Sequence, residues 1–509
     1  MKSKAVHLLV LTHGMWGHPG HLAEMTRIVN EMHGQLDTND KEELHVLLPQ
    51  ANREEGTYDG IDWCAERVVD EILSEVDAIQ KQHDKRVTKF SITGYSLGGL
   101  VARYIVGILA QKGYLVSDDD DDDSQSSSSN LPSYRMKPMN FSTIATPHLG
   151  LIRYSTLFSS LAHRLGPKLL SRTGEQFYLQ DRNTTTGRPL LDMMSDPDLP
   201  FYRSLTMFKR VRVFANAVND LTVPYVTAAM EEEDPFVDWE EKGLKVEYHP
   251  RYRPLITSYT LSSSTAHKSK TRHSKALIPL PPFLVKPFPF NIVVYALLPF
   301  LVPLAFVLVF VRFTRATGRS RLRITQLEKR FAEGQSLSLM QALSDLERQV
   351  ERRIEDAVVD AIDDPVGDST ATNTNSPGTS TPSDTERMSS SPSPSPPPSS
   401  TYKSSPNKES SKNAPLLTPL QRTICARLNT LPGLKKEVAF IDEFVDGEEE
   451  HISSPNPTSQ STKRSKKTKA KLIPIRNSHA PIVSRDVRNF EHHRIGEGVL
   501  RCWAEGLVM

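Results

Sequence analysis

Apolar and polar positions near the start of the chain follow two alternating patterns. Short apolar runs at Val6–Leu11, Leu44–Leu48 and Val87–Thr93 are typical of strands that are buried on both faces of a sheet. Stretches with apolar residues at helical spacing separate these runs: Val69, Ile72, Leu73, Val76 and Ile79. Regular alternation of strand and helix predicts a mostly parallel sheet with crossover helices on its faces, which is the α/β class.

The same patterns continue further along the chain. An apolar helix is expected at Leu97–Ala110, and strand-like runs return at Met139–Ala145 and Val211–Ala217. A last short strand is predicted at Leu472–Ile475, close to the C-terminus. The folded part therefore draws on both ends of the sequence.

Residues 287–311 form an apolar stretch of 25 residues without a formal charge. A stretch of that length can cross the roughly 30 Å hydrocarbon core of a bilayer. Pro299 and Pro303 lie near its middle, where a straight helix would lose hydrogen bonds. We interpret the stretch as a hydrophobic hairpin or transmembrane segment and prefer the hairpin. The pattern over residues 312–363 predicts an amphipathic helical region, which would lie on a membrane, cover a pocket or form a solvated helix pair.

Charge runs and Ser/Thr/Pro-rich stretches separate the parts that can pack from those that cannot. Six consecutive aspartates followed by serines predict a disordered insertion, and the long Ser/Thr/Pro-rich stretch predicts a second one. The predicted organisation is a folded domain in two parts, 1–260 (with the insertion 116–134) and 472–509, separated by a linker 261–286, the apolar segment 287–311, the amphipathic region 312–363, a disordered region 364–416 and a linker with a basic stretch 417–471.

The composition excludes several classes of protein. The 62 basic and 61 acidic residues leave a net charge of +1, which does not suit a nucleic-acid binder. Three widely spaced cysteines, Cys64, Cys425 and Cys502, form neither a disulfide framework nor a zinc site. The N-terminal residues lack the apolar region of a signal peptide, so a secreted enzyme is not expected.

A G-x-S-x-G sequence, Gly94-Tyr-Ser96-Leu-Gly98, lies between a predicted strand and a predicted helix. In that context it indicates a nucleophile elbow, a strained turn that lifts the Ser96 hydroxyl above the sheet. Side chains at positions 94 and 98 would collide with the neighbouring strand and helix. Ser96 is therefore the candidate nucleophile.

The loop after the first strand is a candidate for binding a carbonyl oxygen. His13-Gly14 ends that strand, and a turn there allows a main-chain amide to face the nucleophile. The predicted oxyanion hole consists of the amides of Met15 and Leu97. A tight turn without this role is the alternative.

A serine nucleophile needs a base and an acid, and the order Ser, Asp, His is expected along the chain. Asp220 follows a predicted strand, whereas its rivals Asp192, Asp196 and Asp198 do not. His479 follows the last predicted strand and leads into a loop, which favours it as the base. The rival histidines occupy polar, acidic or helical sequence: His249, His267, His273, His451, His492 and His493.

The position of the apolar segment constrains its topology. Ser96 precedes residues 287–311 and His479 follows them, so a single crossing would place the two on opposite sides of a bilayer. Either the segment is a hairpin or the histidine is a different one. A hairpin suits a lipid-droplet monolayer, which has no second aqueous face.

These motifs resemble the fungal serine esterases of the α/β-hydrolase superfamily, which include lipid-droplet phospholipases and monoacylglycerol lipases. The resemblance rests on the segments around His13, Ser96, Ala145–Gly150, Asp220 and His479, within residues 5–115, 139–230 and 472–509. It implies an α/β-hydrolase fold, a Ser96–Asp220–His479 triad and glycerolipid substrates. It also implies an intracellular protein on lipid droplets or the endoplasmic reticulum membrane, with its catalytic domain facing the cytosol.

The leading hypothesis is a lipase or phospholipase-type serine hydrolase that cleaves carboxylic esters. An acyltransferase or thioesterase with the same triad, or a non-catalytic scaffold attached to a membrane, is the alternative. We expect no metal or organic cofactor, because the nucleophile is activated by its own histidine. The expected partners are lipids and a membrane or droplet surface, not nucleic acid, and protein partners are not indicated.

Overall fold

A computed structural model of the chain describes residues 4–34, 42–82, 85–116, 132, 134–183, 186–261, 290–332, 413–446 and 471–509. Most of the predicted insertion 116–134, nearly all of the linker 261–286 and much of the predicted regions 312–363, 364–416 and 417–471 lie outside the described residues.

The core of the fold is an eight-stranded sheet with strand order β2-β1-β3-β4-β6-β10-β8-β7. From β2 to β10 every neighbouring pair is parallel, and β8 is antiparallel to both of its neighbours. These strands are β1 (Lys4–Thr12), β2 (Glu42–Leu47), β3 (Lys85–Tyr95), β4 (Lys137–Ile144), β6 (Arg210–Asn216), β7 (Lys245–Tyr248), β8 (Leu255–Thr260) and β10 (Leu434–Ala439).

Two small antiparallel pairs lie outside the main sheet. The first joins β5 (Arg153–Tyr154) to β9 (Pro415–Leu416), and the second joins β11 (Glu443–Asp446) to β12 (Lys471–Pro474). The strand predicted at Leu472–Ile475 therefore exists, but it pairs with β11 and not with the main sheet.

Helices cover both faces of the sheet. They are α1 (Ala23–His33), α2 (Ile61–Gln80), α3 (Leu97–Gln111), α4 (Leu157–Leu169), α5 (Ser171–Phe177), α6 (Leu190–Met193), α7 (Pro200–Thr206), α8 (Tyr225–Ala228), α9 (Phe290–Ala332), α10 (Pro419–Leu428) and α11 (Glu497–Glu505). Short 3-10 turns occur at Pro19–Leu22, Glu54–Tyr58, Pro481–Val483 and Glu491–Gly496.

Strand β1 shows why its sequence is a continuous apolar run. Val6, Leu8 and Val10 pack with α2 and α3 on one face of the sheet. Leu9 and Leu11 pack on the other face with α1 and α11, where Trp503 is fully buried. A strand buried on both faces must be apolar at successive positions, and the sequence follows that rule.

The structure corrects the predicted disordered region 364–416 and linker 417–471. Residues 415–416 form β9, α10 occupies Pro419–Leu428, and β10 is inserted into the main sheet between β6 and β8. The run Leu434–Ala439 contains three charged residues, so its pattern does not indicate a buried strand. It is a strand because its backbone pairs with β6 over six residues.

The predicted hairpin within residues 287–311 is also wrong. Helix α9 runs through Pro299 and Pro303 without interruption. A proline inside a helix costs about 3 kcal/mol, a loss that the remaining hydrogen bonds of a long helix can offset. Within it, Leu297–Lys329 is long and apolar enough to cross a membrane, judged by length and composition. Its apolar half, residues 297–311, is exposed.

Candidate active site

The turn between β3 and α3 forces Ser96 into a strained conformation. Its φ of 56° and ψ of −126° lie outside the regions that L residues prefer. The flanking glycines are required by space: a Cβ at Gly94 would lie 2.4 Å from the Gly98 oxygen, and one at Gly98 would lie 2.2 Å from the Thr12 oxygen. Ser96 therefore lies at the carboxyl end of the parallel strands, directly before the helix, which is the arrangement predicted for a nucleophile elbow.

His479 contacts the Ser96 side chain. Its Nε2 lies 3.0 Å from Ser96 Oγ and its Nδ1 lies 2.9 Å from Asp220 Oδ2. Because a carboxylate only accepts, Nδ1 carries the proton and Nε2 is left to accept from the serine hydroxyl. This is the tautomer that a general base for Ser96 requires.

Three hydrogen bonds, made by Ser478 and Tyr95, fix the loop that carries His479. Ser478 donates from its backbone nitrogen to the Asn219 oxygen at 2.9 Å and from its hydroxyl to the Val218 oxygen at 2.7 Å. The Tyr95 hydroxyl donates to the backbone oxygen of His479 at 2.9 Å, and the two rings lie 5.0 Å apart. Burial raises the pKa of the Tyr95 phenol, so it remains a donor.

The Asp220 side chain is buried and accepts four hydrogen bonds. Oδ1 accepts from the backbone nitrogens of Thr222 (3.0 Å) and Val223 (2.8 Å), and Oδ2 accepts from Asn216 Nδ2 (2.8 Å) in addition to His479. The carboxylate is thus held in one orientation by the loop that follows β6. A buried carboxylate with this many donors is suited to fix and stabilise a protonated imidazole.

The loop after β1 approaches the nucleophile as predicted from His13-Gly14. A Cβ at Gly14 would lie 2.8 Å from Ser96 Cβ, so only glycine fits this close approach. Within the part of the chain that the structure describes, the backbone nitrogens of Met15 and Leu97 have no protein acceptor. Neither amide is occupied by a described protein acceptor, and the oxyanion hole that consists of these two amides stays a prediction.

His13 belongs to this loop and does not contact the reacting groups. Its Nδ1 donates to the Gly14 oxygen at 3.0 Å, and burial lowers the pKa of its ring, which is therefore neutral near pH 7. The residue next to Met15 is half-exposed: Trp16 packs against Tyr58 and against Phe313 of α9. Helix α9 thus contacts the loop that carries one of the two amides.

The described rival residues have other partners. Asp192 pairs with Arg188 at 2.7 Å and Arg427 at 2.8 Å, and Asp196 also pairs with Arg188. His249 stacks on Tyr252. His492 and His493 contact each other and Phe490. Asp198 has Arg203 at 3.9 Å, and His267, His273 and His451 lie outside the described residues.

Sequence reasoning missed three residues that support the site: Asn216, Tyr95 and Trp16. Asn216 ends β6 four residues before Asp220, and its position at a strand end was the available signal. Tyr95 is the variable residue of G-x-S-x-G, a position from which the motif predicts nothing. The contact of Trp16 with Phe313 joins residues almost 300 positions apart and leaves no local signal.

A cleft lies beside Asp220, and the next residue, Leu221, is part of its wall. It has a volume of about 310 Å³ and is lined mainly by apolar and aromatic side chains, among them Leu151, Tyr154, Phe158, Tyr178, Leu221 and Pro224. In the described residues no group of His, Cys, Asp and Glu could hold a metal ion. The site consists of a polar triad beside an apolar cleft.

A family model described as "Putative serine esterase (DUF676)" matches residues 2–231. The matched range contains Ser96 and Asp220 and ends before His479. "Putative lipase C4A8.10" of Schizosaccharomyces pombe is 30% identical over 230 residues, which is 45% of this chain and 26% of the relative. "Putative lipase ROG1" of Saccharomyces cerevisiae is 27% identical over 256 residues, 50% of this chain and 32% of the relative. The chain spans about a quarter to a third of the length of these relatives.

Among solved structures, an extracellular α/β-hydrolase from a Paenibacillus species matches 43% of this chain and 80% of its own, at 17% identity and a TM-score of 0.23. The phospholipase PlaB from Legionella pneumophila matches 43% of this chain and 40% of its own, at 15% identity and the same TM-score. The predicted α/β-hydrolase fold is confirmed: a mostly parallel sheet lies between helices, with the elbow after β3 and Asp220 after β6.

Proposed function

We propose that the chain, whose residues 2–231 match the serine esterase family model DUF676, is a lipase or phospholipase-type hydrolase of glycerolipid esters. The observation that carries this proposal is the chain of hydrogen bonds from Asp220 through His479 to Ser96. We further propose that it works at a membrane or lipid-droplet surface, on the cytosolic side.

The triad supports the following steps. Ser96 Oγ attacks the ester carbonyl while His479 Nε2 takes its proton, and the Asp220 carboxylate stabilises the imidazolium that forms. The amides of Met15 and Leu97 donate to the oxyanion. His479 then returns the proton to the leaving alcohol, which leaves an acyl group on Ser96. Water, deprotonated by His479, attacks this acyl-enzyme, and the fatty acid and Ser96 are released.

Three observations support a lipid substrate. The cleft beside Asp220 is mainly apolar. The matched relatives from both yeasts carry the name "Putative lipase". The apolar half of α9 is exposed in the structure. Leaving it in water would cost free energy, because burial of one large apolar side chain gains about 1.5–3 kcal/mol. A site fixed beside such a helix meets substrates that reside in a membrane.

The topology is consistent with a helix that enters the lipid from the side of the catalytic domain. Residues before and after α9 pack into the same domain, and the C-terminal half of α9 contacts it. The described parts of the chain before and after α9 therefore lie on one side of the lipid, and a monolayer or one leaflet of a bilayer meets this requirement.

The test is fatty-acid release by the purified full-length protein from phospholipids, lysophospholipids and mono-, di- and triacylglycerols. Ser96→Ala should lower release at least about 10³-fold and abolish labelling by a fluorophosphonate probe, because the nucleophile is gone. Ser91→Ala removes a buried hydroxyl from the same strand and serves as the control. Release that persists in Ser96→Ala would refute the proposal, and labelling of the native protein without any lipid hydrolysis would favour an acyltransferase or thioesterase.

A further inference from the structure

Helix α4 presents an apolar stripe to the solvent. Leu157, Leu161 and Leu165 recur at i, i+4 and i+8 and are 92%, 54% and 37% exposed, and Phe158 beside them is 82% exposed. We call these four residues the α4 stripe. Residues at this spacing lie on one face of a helix, a face that soluble proteins normally turn inward. Here the inward positions are Ser159 and Pro167.

Helix α4 connects the basic C-terminal half of α9 to the cleft beside Asp220. At its C-terminal end, the Leu169 oxygen accepts from Thr317 Oγ1 of α9 at 2.7 Å. At its N-terminal end, Phe158 and Ser159 line the cleft together with Leu221, the residue after Asp220. The α4 stripe therefore begins at the cleft beside Asp220 and runs along α4 toward α9.

The charges around this surface suit a lipid headgroup layer. Helix α4 contains His163, Arg164 and Lys168 and no acidic residue. The adjoining part of α9 is strongly basic, with Arg312, Arg315, Arg319, Arg321 and Arg323. An apolar helix face bordered by basic residues is the pattern that binds in the interface of anionic membranes.

We propose that the α4 stripe is a second lipid contact, which enters the headgroup–acyl boundary beside α9 and turns the cleft next to Asp220 toward the lipid. Its effect on catalysis rests on the proposed function, whereas the lipid contact does not. Two linked contacts on one surface bind more tightly than either alone, so removal of one weakens binding without abolishing it.

The test uses the full-length protein and vesicles of phosphatidylcholine with about a third phosphatidylserine. Leu157→Glu/Leu161→Glu places two charges on the stripe, at positions that do not line the cleft. Leu261→Glu is the matched control, because Leu261 is also 54% exposed but follows β8, which runs antiparallel to the strands that end at the site. Vesicle flotation gives the bound fraction, and hydrolysis of a water-soluble short-chain ester gives the activity without a surface.

The double variant should bind vesicles at least about tenfold more weakly than Leu261→Glu, while it hydrolyses the soluble ester at the native rate. Equal vesicle binding by the two variants would overturn the proposal. A stripe variant that loses self-association in sedimentation but keeps vesicle binding would also overturn it and would assign the stripe to a second copy of the chain. Absence of ester hydrolysis in the native protein would refute the proposed function alone, because vesicle binding is read out separately.

Discussion

The Asp220 carboxylate shows how single residues create the candidate chemistry. Two backbone amides hold Oδ1, while Asn216 and His479 share Oδ2, so the carboxylate has a fixed orientation and little freedom to rotate. The proton on His479 Nδ1 follows from that geometry. The basicity at Nε2 toward Ser96 thus depends on a residue that contacts His479 on its other ring nitrogen.

Asp220→Asn should test this dependence. An asparagine fills the same space, but its amide group favours the wrong tautomer of His479, and we expect kcat to fall by about 10⁴-fold, as for the corresponding change in a serine protease triad. Soluble-ester hydrolysis and circular dichroism measure activity and folding.

Asp192→Asn is the matched control, since Asp192 is a buried aspartate held by two arginines away from the triad. It should alter stability and leave kcat nearly unchanged. If Asp220→Asn keeps kcat within tenfold of the native value, Asp220 is not the acid of the triad.

At the scale of elements, the C-terminal half of α9 is attached to the domain by buried ion pairs. Asp59, whose side chain is fully buried, accepts from Arg67 at 2.7 Å and from Arg323 at 2.8 Å. Arg323 also donates to the Glu55 oxygen, and Ser320 bonds to Ser171. The turn Glu54–Tyr58 contains Glu55 and directly precedes Asp59, and its Tyr58 hydroxyl accepts from Trp16 Nε1. The helix is therefore held against the loop that carries the Met15 amide.

Arg323→Ala should loosen α9 without unfolding the domain. Asp59 keeps Arg67 as a partner in this variant. The attachment of α9 to the domain should therefore weaken only by the free energy of the lost charged hydrogen bonds, about 1–3 kcal/mol. Amide hydrogen exchange over residues 312–329 should then accelerate about 5–150-fold.

Arg321→Ala provides the comparison, because Arg321 is exposed two positions away on the same helix. Exchange in that variant should remain close to the native rate. Equal acceleration in both variants would show that the Asp59 ion pair does not hold α9 in place.

At the scale of the whole molecule, one folded domain is assembled from two distant parts of the chain. The C-terminal part contributes β10 within the sheet, His479 at the site and Trp503 in the core. Trp503 is fully buried, and its Nε1 donates to Thr93 Oγ1 at 3.0 Å, three residues before Ser96. Packing of the C-terminal helix and the geometry of the elbow are thus directly connected.

Trp503→Ala should destabilise the domain by about 3–5 kcal/mol, the usual cost of removing a large buried aromatic side chain. Urea unfolding followed by circular dichroism measures this change. Trp503→Phe keeps most of the buried apolar area and loses only the hydrogen bond to Thr93. It should therefore lower the free energy of unfolding clearly less than Trp503→Ala. Similar losses in the two variants would mean that the hydrogen bond to Thr93, and not packing, dominates.

Several features could be read from the sequence because they depend on neighbouring residues. Alternating strand and helix patterns predict the parallel sheet, and the glycines of Gly94-Tyr-Ser96-Leu-Gly98 follow from crowding within one turn. The sequence favours Asp220 over Asp192 because Asp220 follows a predicted strand, and a strand is recognisable from its local pattern. The length and lack of charge of residues 287–311 indicate a long apolar helix or hairpin.

Other features were decided by tertiary structure. The strand at Leu434–Ala439 carries charges and becomes a strand only because β6 offers a partner edge. Helix α9 continues through two prolines, although each proline locally favours a break or a bend. His479 reaches Ser96 and Asp220 across 383 and 259 residues, and no periodicity extends that far. Local sterics and periodicity fix elements and turns, whereas the meeting of distant side chains depends on how those elements pack.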